Sequence, residues 1–541
     1  MLPVKTRLNW DVIVAILPLT IDENDREWLH RRSRVKRGTL LAFMKTCRSL
    51  YRAGMPLFLT GRLTIPDDIS DVLSFCGLIL GDPTHNWAGC VQTLSFGSLD
   101  WKPPGCKSPE RKVLRDKLTA TFRLLRNLTQ LDFSNAESFC SLDLGHDSPI
   151  FCDAVADVAS LTGIKWKEMG PEATRLVGEL RAHLTDITIC YAEGYQSPTE
   201  EITILDHHSP YLEQLTLSDY PAFRRGLTFP RLHTFNHQHS YFYPYTHTSG
   251  QLVDAFPVLK RLILQRDAVE NDFPDFDFDE TLQLREQNRS LLLARSHLHP
   301  PLEYLQTSVI KAYTFAFNFE IRSFAIDGLI KTDRTLDRLR VVIPDIRPTY
   351  LDISLSLSDL PVSTLDSLFV DGSIPQLTHL RIYLKWAEPK CQLMDIQSLG
   401  TSLISCFKKA PSLTTIAIEF NYTIGFSTDP EIMLQYAQTE TALRTLHTEE
   451  YIRRIAQSVP DVSSVSTCIA RSVPGPAYWR IKRTKTRDPS RMDAQFEREP
   501  GVSDDSDVGV EAIDEALGRK IMEIQGRHGW GWADVLNLEE D

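Results

Sequence analysis

Residues 210–217 read Pro210-Tyr211-Leu212-Glu213-Gln214-Leu215-Thr216-Leu217: an apolar residue, two variable ones, an apolar one, one variable, then apolar again. The same spacing returns at Leu259/Leu262/Leu264, Leu377/Leu380/Ile382 and Leu413/Ile416/Ile418, each with a proline two residues ahead (Pro257, Pro375, Pro411). Pro230 and Pro300 introduce two further copies whose last position is polar, His237 and Thr307. Copies without the proline stand at Val91/Leu94/Phe96, Leu128/Leu131/Phe133, Leu184/Ile187/Ile189 and Leu336/Leu339/Val341. The alternating end of each copy predicts a short strand with its apolar residues turned inward. Proline suits the entry to such a strand, where no ladder hydrogen bond needs its missing N–H. The segments between copies, such as 172–183 and 398–410, carry helical spacing, so the body is an α/β array of strand-plus-helix units.

Outward from this core, composition sets the limits. The chain has 541 residues, 42% hydrophobic and 24% charged, enough apolar content to fold around packed cores. The charge of −12 argues against general nucleic-acid binding. It is unevenly placed: residues 1–60 hold eleven Lys/Arg against five Asp/Glu, and 500–541 hold three against eleven. The apolar run at 12–19 is too short to span a bilayer. Pro18, Asp22, Glu23 and Asp25 stand where a signal peptide would be cleaved, so secretion is not expected. The ten cysteines form no Cys-x-x-Cys pair and read as reduced thiols of an intracellular protein, cytoplasmic or nuclear.

The first sixty residues predict two short amphipathic helices. Asn9 can cap one over 10–17, with Leu8, Val12, Ile13 and Ile16 on its apolar side, ended by Pro18. Thr39 can cap a second, whose stripe is Leu40, Phe43, Met44, Cys47, Leu50 and Tyr51, with Gly54 fitting the C-terminal cap and Pro56 blocking continuation. Two such helices cannot make a core of their own, so their apolar faces must be buried against something else.

Leu2-Pro3-Val4-Lys5, Leu8-Asn9-Trp10-Asp11-Val12-Ile13, Leu40-Leu41-Ala42-Phe43-Met44-Lys45-Thr46-Cys47-Arg48-Ser49-Leu50-Tyr51 and Met55-Pro56-Leu57-Phe58-Leu59 resemble an F-box as written in basidiomycete-type fungal proteins, the Thr-Cys-Arg-x-Leu-Tyr stretch being the most specific part. Lys5 replaces the acidic residue common after Leu-Pro-x. The resemblance implies a three-helix module that binds the Skp adaptor, and through it a cullin, by apolar anchors: Leu2, Pro3, Leu8, Val12, Ile13, Ile16, Leu40, Leu41, Phe43, Met44, Cys47, Leu50 and Tyr51. The repeated body is similar to the degenerate leucine-rich repeats that follow such F-boxes, an irregular solenoid. It departs from the standard pattern by lacking a regular Asn after the third apolar position.

The expected organisation is an F-box-like module over 1–60, a leucine-rich-repeat solenoid over 61–480, a polar linker over 481–508 read as disordered, and a final segment 509–541. In that last segment Val510, Ile513, Leu517, Ile521 and Ile524 fall on one helical face and would cap the solenoid or offer a helix to a partner. The basic stretch 480–491 reads as a solvated loop or a nuclear-import signal.

No phosphate-binding glycine loop, His-Glu-x-x-His, Gly-x-Ser-x-Gly or paired zinc cysteines occur. Asp275, Asp277, Asp279 and Glu286 have the acidic spacing of a calcium loop, but Glu280 stands where its sharp turn needs Gly, so a solvated loop before a helix over 282–298 is the better reading. His233, His237 and His239 would share one side of a regular strand, interleaved downstream with Tyr241, Tyr243 and Tyr245, and could hold a metal or face a partner. The resulting expectation is a non-catalytic substrate receptor without cofactor, nucleic-acid or membrane partner, its repeats binding an unidentified protein. The alternative is a leucine-rich-repeat interaction scaffold with no ligase role.

Overall fold

The computed structural model describes residues 42, 44–81, 86–98, 109–143, 149–192, 195, 204–218, 226–238, 249–265, 278–295, 302–387, 395–423, 431, 434, 438, 441–442, 448–469, 477–483 and 508–518. It is a mixed α/β structure in two compact units, one carrying β1–β7 and the other β8–β16.

In the first unit β1 (Arg62–Ile65), β2 (Thr93–Phe96), β3 (Gln130–Phe133), β4 (Gly163–Met169), β5 (Asp186–Tyr191), β6 (Gln214–Ser218) and β7 (Thr234–Gln238) pair in chain order, every neighbour parallel. In the second, β8 (Arg261–Leu264), β9 (Tyr304–Thr307), β10 (Ser323–Ile326), β11 (Tyr350–Ser356), β12 (His379–Ala387), β13 (Thr415–Thr423) and β14 (Ser464–Ile469) continue the same way. β15 (Ala477–Arg483) and β16 (Val508–Ile513) then close it antiparallel.

The apolar triplets explain this order. Leu212, Leu215 and Leu217 are all fully buried, as are Leu377 and Ile382, with Leu380 almost so. The first apolar residue sits in the turn and the other two point from the strand toward the helices, so successive units fall into identical register. A second device repeats with them. The residue after the first apolar position is Thr or Ser in Leu128-Thr129, Leu161-Thr162, Leu184-Thr185, Leu377-Thr378, Leu413-Thr414 and Val462-Ser463. Each hydroxyl donates to a backbone carbonyl one unit back, at 3.0 to 3.3 Å: Thr129 to Gln92, Thr162 to Thr129, Thr185 to Thr162, Thr378 to Thr349, Thr414 to Thr378, Ser463 to Thr414. Such rungs satisfy carbonyls at strand entry, the work a regular Asn would do.

Helices cover the apolar side. Pro171–Glu179 and Ile396–Lys408 fall where helical spacing predicts them. Glu137 fixes the first, its carboxylate accepting from the backbone N–H groups of Gly170, Glu172 and Ala173. In the second unit the helix Phe278–Ala294 buries a largely polar side: Thr281, Arg285 and Asn288 are buried together with Leu292, while Leu282 and Leu293 are exposed. Arg285 donates to the Tyr313 carbonyl at 2.7 Å and pairs with Asp345; Asn288 bonds Ser249 and Thr314. Full satisfaction of these polar groups is what makes their burial tolerable.

Four expectations are corrected. Leu336, Leu339 and Val341 lie in the helix Asp333–Ile346, capped by the Thr332 hydroxyl on the Thr335 N–H. The step of three from Leu336 to Leu339 fits a helix face as well as a strand, and capping decides; Val341 points away from that face and is exposed. The strands on either side are β10, after Ile321, and β11. Second, 40–51 is not one helix: Ala42 and Met44 are helical, Cys47 is extended (φ −161°, ψ 162°), and a new helix, Arg48–Thr60, runs through Gly54 and Pro56. Third, 481–508 is not wholly linker, since Ile481–Arg483 end β15 and Val508 begins β16. Fourth, Val510 and Ile513 lie in that strand, and helix resumes only at 515–518. Cross-strand pairing with 478–483 overrides the helical spacing there. The helix expected over 10–17 and the acidic residues Asp275 and Asp277 lie outside the described residues. Among the described residues no helix is long and apolar enough to cross a membrane.

Candidate functional site

Parallel strands in register turn their alternate residues to the face opposite the helices, stacking them in rows about 4.8 Å apart. These rows are the broadest surface built by the repeat itself.

In the first unit the rows are small and polar: Arg62, Thr93, Gln130, Gly163, Asp186, Gln214, Thr234 and, two residues on, Thr64, Ser95, Asp132, Lys165, Thr188, Thr216, Asn236. Arg62, Thr64, Lys165 and Gln214 are exposed. Arg62 reaches over Ser95 to pair with Asp132 at 2.9 Å, and the Gln130 amide donates to the same carboxylate. The end of the Gln130 side chain lies over Gly163, where a Cβ would otherwise stand. Burial, then Asp132, push the Asp186 carboxyl up.

The second unit differs in kind. Its rows are Arg261, Tyr304, Ser323, Tyr350, His379, Thr415, Ser464 and, two residues on, Ile263, Gln306, Ala325, Asp352, Arg381, Ala417, Ser466. Among the described residues, none of the outward positions of β10–β14 is exposed. Arg381 lies between two carboxylates, Nη1 at 3.3 Å from Asp352 and Nη2 at 3.1 Å from Glu419. Burial would lower this guanidinium, but Asp352 and Glu419 outweigh it and its pKa is raised. Burial pushes Asp352 up, with Arg381 pulling it back. Beside them Asn421 Nδ2 donates to the Tyr383 hydroxyl.

Aromatic rings line the strand entries. Tyr350 stacks on His379 at 4.2 Å with Arg322 above it at 5.5 Å, and Arg261 lies over Tyr304 at 4.8 Å. Burial and then Arg322 push the imidazole of His379 down to about 4, so it is neutral near pH 7. Cys468 is pushed up to about 11 by burial and then Glu419. Arg381, Asp352 and Glu419 thus form a largely buried, internally paired charge cluster flanked by Tyr383, His379 and Asn421.

The adaptor candidates distribute unevenly. Leu2, Pro3, Leu8, Val12, Ile13, Ile16, Leu40, Leu41 and Phe43 lie outside the described residues. Met44 and Leu50 are 3% and 2% exposed, sealed within the chain's own body with Met55 and Leu59, and Cys47 is half-buried. Tyr51 alone of the described set is exposed, 38%, with its ring edge-on to Trp87 at 6.0 Å. The histidines do not converge. His237 points inward and is buried, whereas His233 lies partly open, 3.8 Å from Glu213, and His239 is outside the described residues. Among the described residues no three His, Cys, Asp or Glu could hold a metal ion.

Sequence reading missed Tyr350, Asp352, His379, Arg381, Tyr383, Glu419 and Asn421. Their signal was available: each stands beside the apolar positions of a strand, as Arg381 does between Leu380 and Ile382. No family model matches this chain. No curated protein matches it either.

Proposed function

We propose that this chain is a non-catalytic substrate receptor of a Skp-cullin-F-box ubiquitin ligase. Residues 1–60 form the F-box-like module that holds the Skp adaptor, and the strand-plus-helix body is an irregular leucine-rich-repeat solenoid that holds a protein destined for ubiquitination. Catalysis is then positional, the receptor raising the concentration of substrate lysines near a conjugating enzyme supplied by other subunits.

The observation that carries the binding half is the outward face of β10–β14, where Tyr350, His379, Arg381, Tyr383 and Glu419 stand on a rigid parallel array. The adaptor half rests on the Thr46-Cys47-Arg48-Ser49-Leu50-Tyr51 resemblance. Leu50 is a poor probe, since its burial means that a charge there would unfold the head. Leu41→Asp combined with Tyr51→Asp is the test: the pair abolishes co-purification with the Skp adaptor while the melting profile stays intact. Undiminished co-purification overturns the adaptor role.

One observation favours a second reading, a scaffold whose first helices merely cap the repeats. Leu50, Gly54, Met55 and Leu59 form the buried side of the helix Arg48–Thr60, which packs on β1 and on the turn Trp87–Cys90. Deleting residues 1–60 separates the two readings. A receptor keeps a soluble, cooperatively melting body and loses the adaptor, whereas a cap leaves an aggregating remainder.

A further inference from the structure

We propose that the free edge of β16 is a self-docking strand, on which a second copy of this chain pairs antiparallel about a two-fold axis at Val510.

The alternation of β15 decides which backbone groups reach that edge. The Ile481 N–H donates to the Ser463 carbonyl at 2.9 Å, so Ile481, and with it Trp479 and Arg483, turns its backbone groups toward β14. Tyr478, Arg480 and Lys482 therefore bond to β16, where they stand opposite Ile513, Glu511 and Gly509. The N–H and C=O groups of the alternate residues Val508, Val510 and Ala512 point the other way, off the end of the sheet. Among the described residues no strand pairs with them, β16 being last in the strand order. Such a row of backbone groups is a template for another strand, and natural edges commonly block it with Lys or Pro. Neither residue occurs in 508–513.

The three edge residues are centred on Val510, and this makes the edge complementary to itself. Antiparallel pairing about that residue sets Val510 against the partner's Val510, Val508 against the partner's Ala512 and Ala512 against the partner's Val508. Each is a closely spaced pair that exchanges both its hydrogen bonds, so every edge group is satisfied at once. The side chains agree. Those of Val508, Val510 and Ala512 lie on the same side as Arg483, which donates to the carbonyls of Ala456, Val459 and Val462 at the end of the helix Thr448–Ser458. Small apolar side chains thus meet their like across the axis. On the other side each Glu511 stands opposite the partner's Gly509, which has no side chain to crowd it, and Glu511 is already paired with Lys482 of its own chain at 2.8 Å. Moving the axis to Glu511 would oppose two carboxylates and leave Val508 beyond the end of the partner strand. A charged foreign strand has nothing to select it, because the one charge on β16 is met within the chain. The pairing does not depend on the receptor reading.

Sedimentation velocity of the full chain tests it. The unaltered chain passes from monomer to dimer as its concentration rises from about 1 to about 100 μM, the weak range suited to so small an interface. Val510→Pro removes an N–H that faces the edge and costs no bond to β15, so it weakens the dimer at least about tenfold while the melting profile stays as it was. A chain that remains monomeric throughout, or a dimer that Val510→Pro leaves unchanged, overturns the proposal. If Val510→Pro melts early, amide exchange of the unaltered chain decides, read by mass spectrometry with fragmentation to single residues. The Val508, Val510 and Ala512 amides exchange at least fivefold more slowly at the high concentration than at the low one, and those of Gly509, Glu511 and Ile513 do not change. Fast exchange at both concentrations overturns it. So does slow exchange at both, the signature of another segment of the same chain on the edge.

Discussion

The seven parallel strands β1–β7 and the seven parallel strands β8–β14 are built by one repeat rule, yet their outward faces have opposite characters. Arg62 and Lys165 project from the first face into water, and its ion pair, Arg62 with Asp132, joins a guanidinium that is 40% exposed. The second holds Arg381 with a side chain only 10% exposed, between two carboxylates. The apolar triplets and the Thr rungs are the same in both. Architecture is therefore set by the inward positions, and the outward positions are free to specialise.

The contrast can be broken most severely at its centre. Arg381→Ala leaves Asp352 and Glu419 facing each other without a counter-charge, and about 3–5 kcal/mol is expected to be lost in urea unfolding. Arg381→Met should cost less, because it keeps packing while the carboxylates protonate.

Acid gives the next largest effect, and it arises behind the first unit's sheet. His208 is fully buried, its Nε2 lies 3.3 Å from the Val177 carbonyl, and burial followed by His207 pushes it down to about 4. The unfolded chain binds a proton near pH 6.5 that the folded chain refuses until about 4. Its contribution is complete above 6.5 and is lost as pH falls toward 4, by roughly 3 kcal/mol. His208→Gln should flatten urea midpoints over that window. His379 adds a loss of the same sign from the second unit.

The Thr rungs should erase the contrast. Thr162→Val and Thr378→Val each remove one hydroxyl-to-carbonyl bond, so both are expected to cost about 1 kcal/mol, alike in the two units. At the bottom of the scale, Arg62→Ala should cost under about 1 kcal/mol, an exposed pair being screened by solvent and salt. A large Arg62 effect would show that the two faces are less different than their burial suggests.

Most strands were legible because the apolar triplet is a physical requirement of a one-sided core. Leu161/Ile164/Trp166 and Ile321/Phe324/Ile326 obey the rule as well and went unread. The Leu161-Thr162 dipeptide would have found the first of these units. The copy at 336–341 misled because its spacing is ambiguous and only Thr332 and Asp333 mark a helix start. The helix Phe278–Ala294 could be placed but not oriented, for three of the four residues on its buried side, Thr281, Arg285 and Asn288 beside Leu292, are polar. The outward face stayed hidden for a related reason: which variable positions converge depends on register between strands far apart in sequence.

The receptor reading is tested most directly by sedimentation of the purified full chain mixed with a purified fungal Skp adaptor. The account predicts a one-to-one complex at micromolar concentration that is lost with Leu41→Asp. Two species sedimenting independently, with the chain folded by its melting profile, would contradict it.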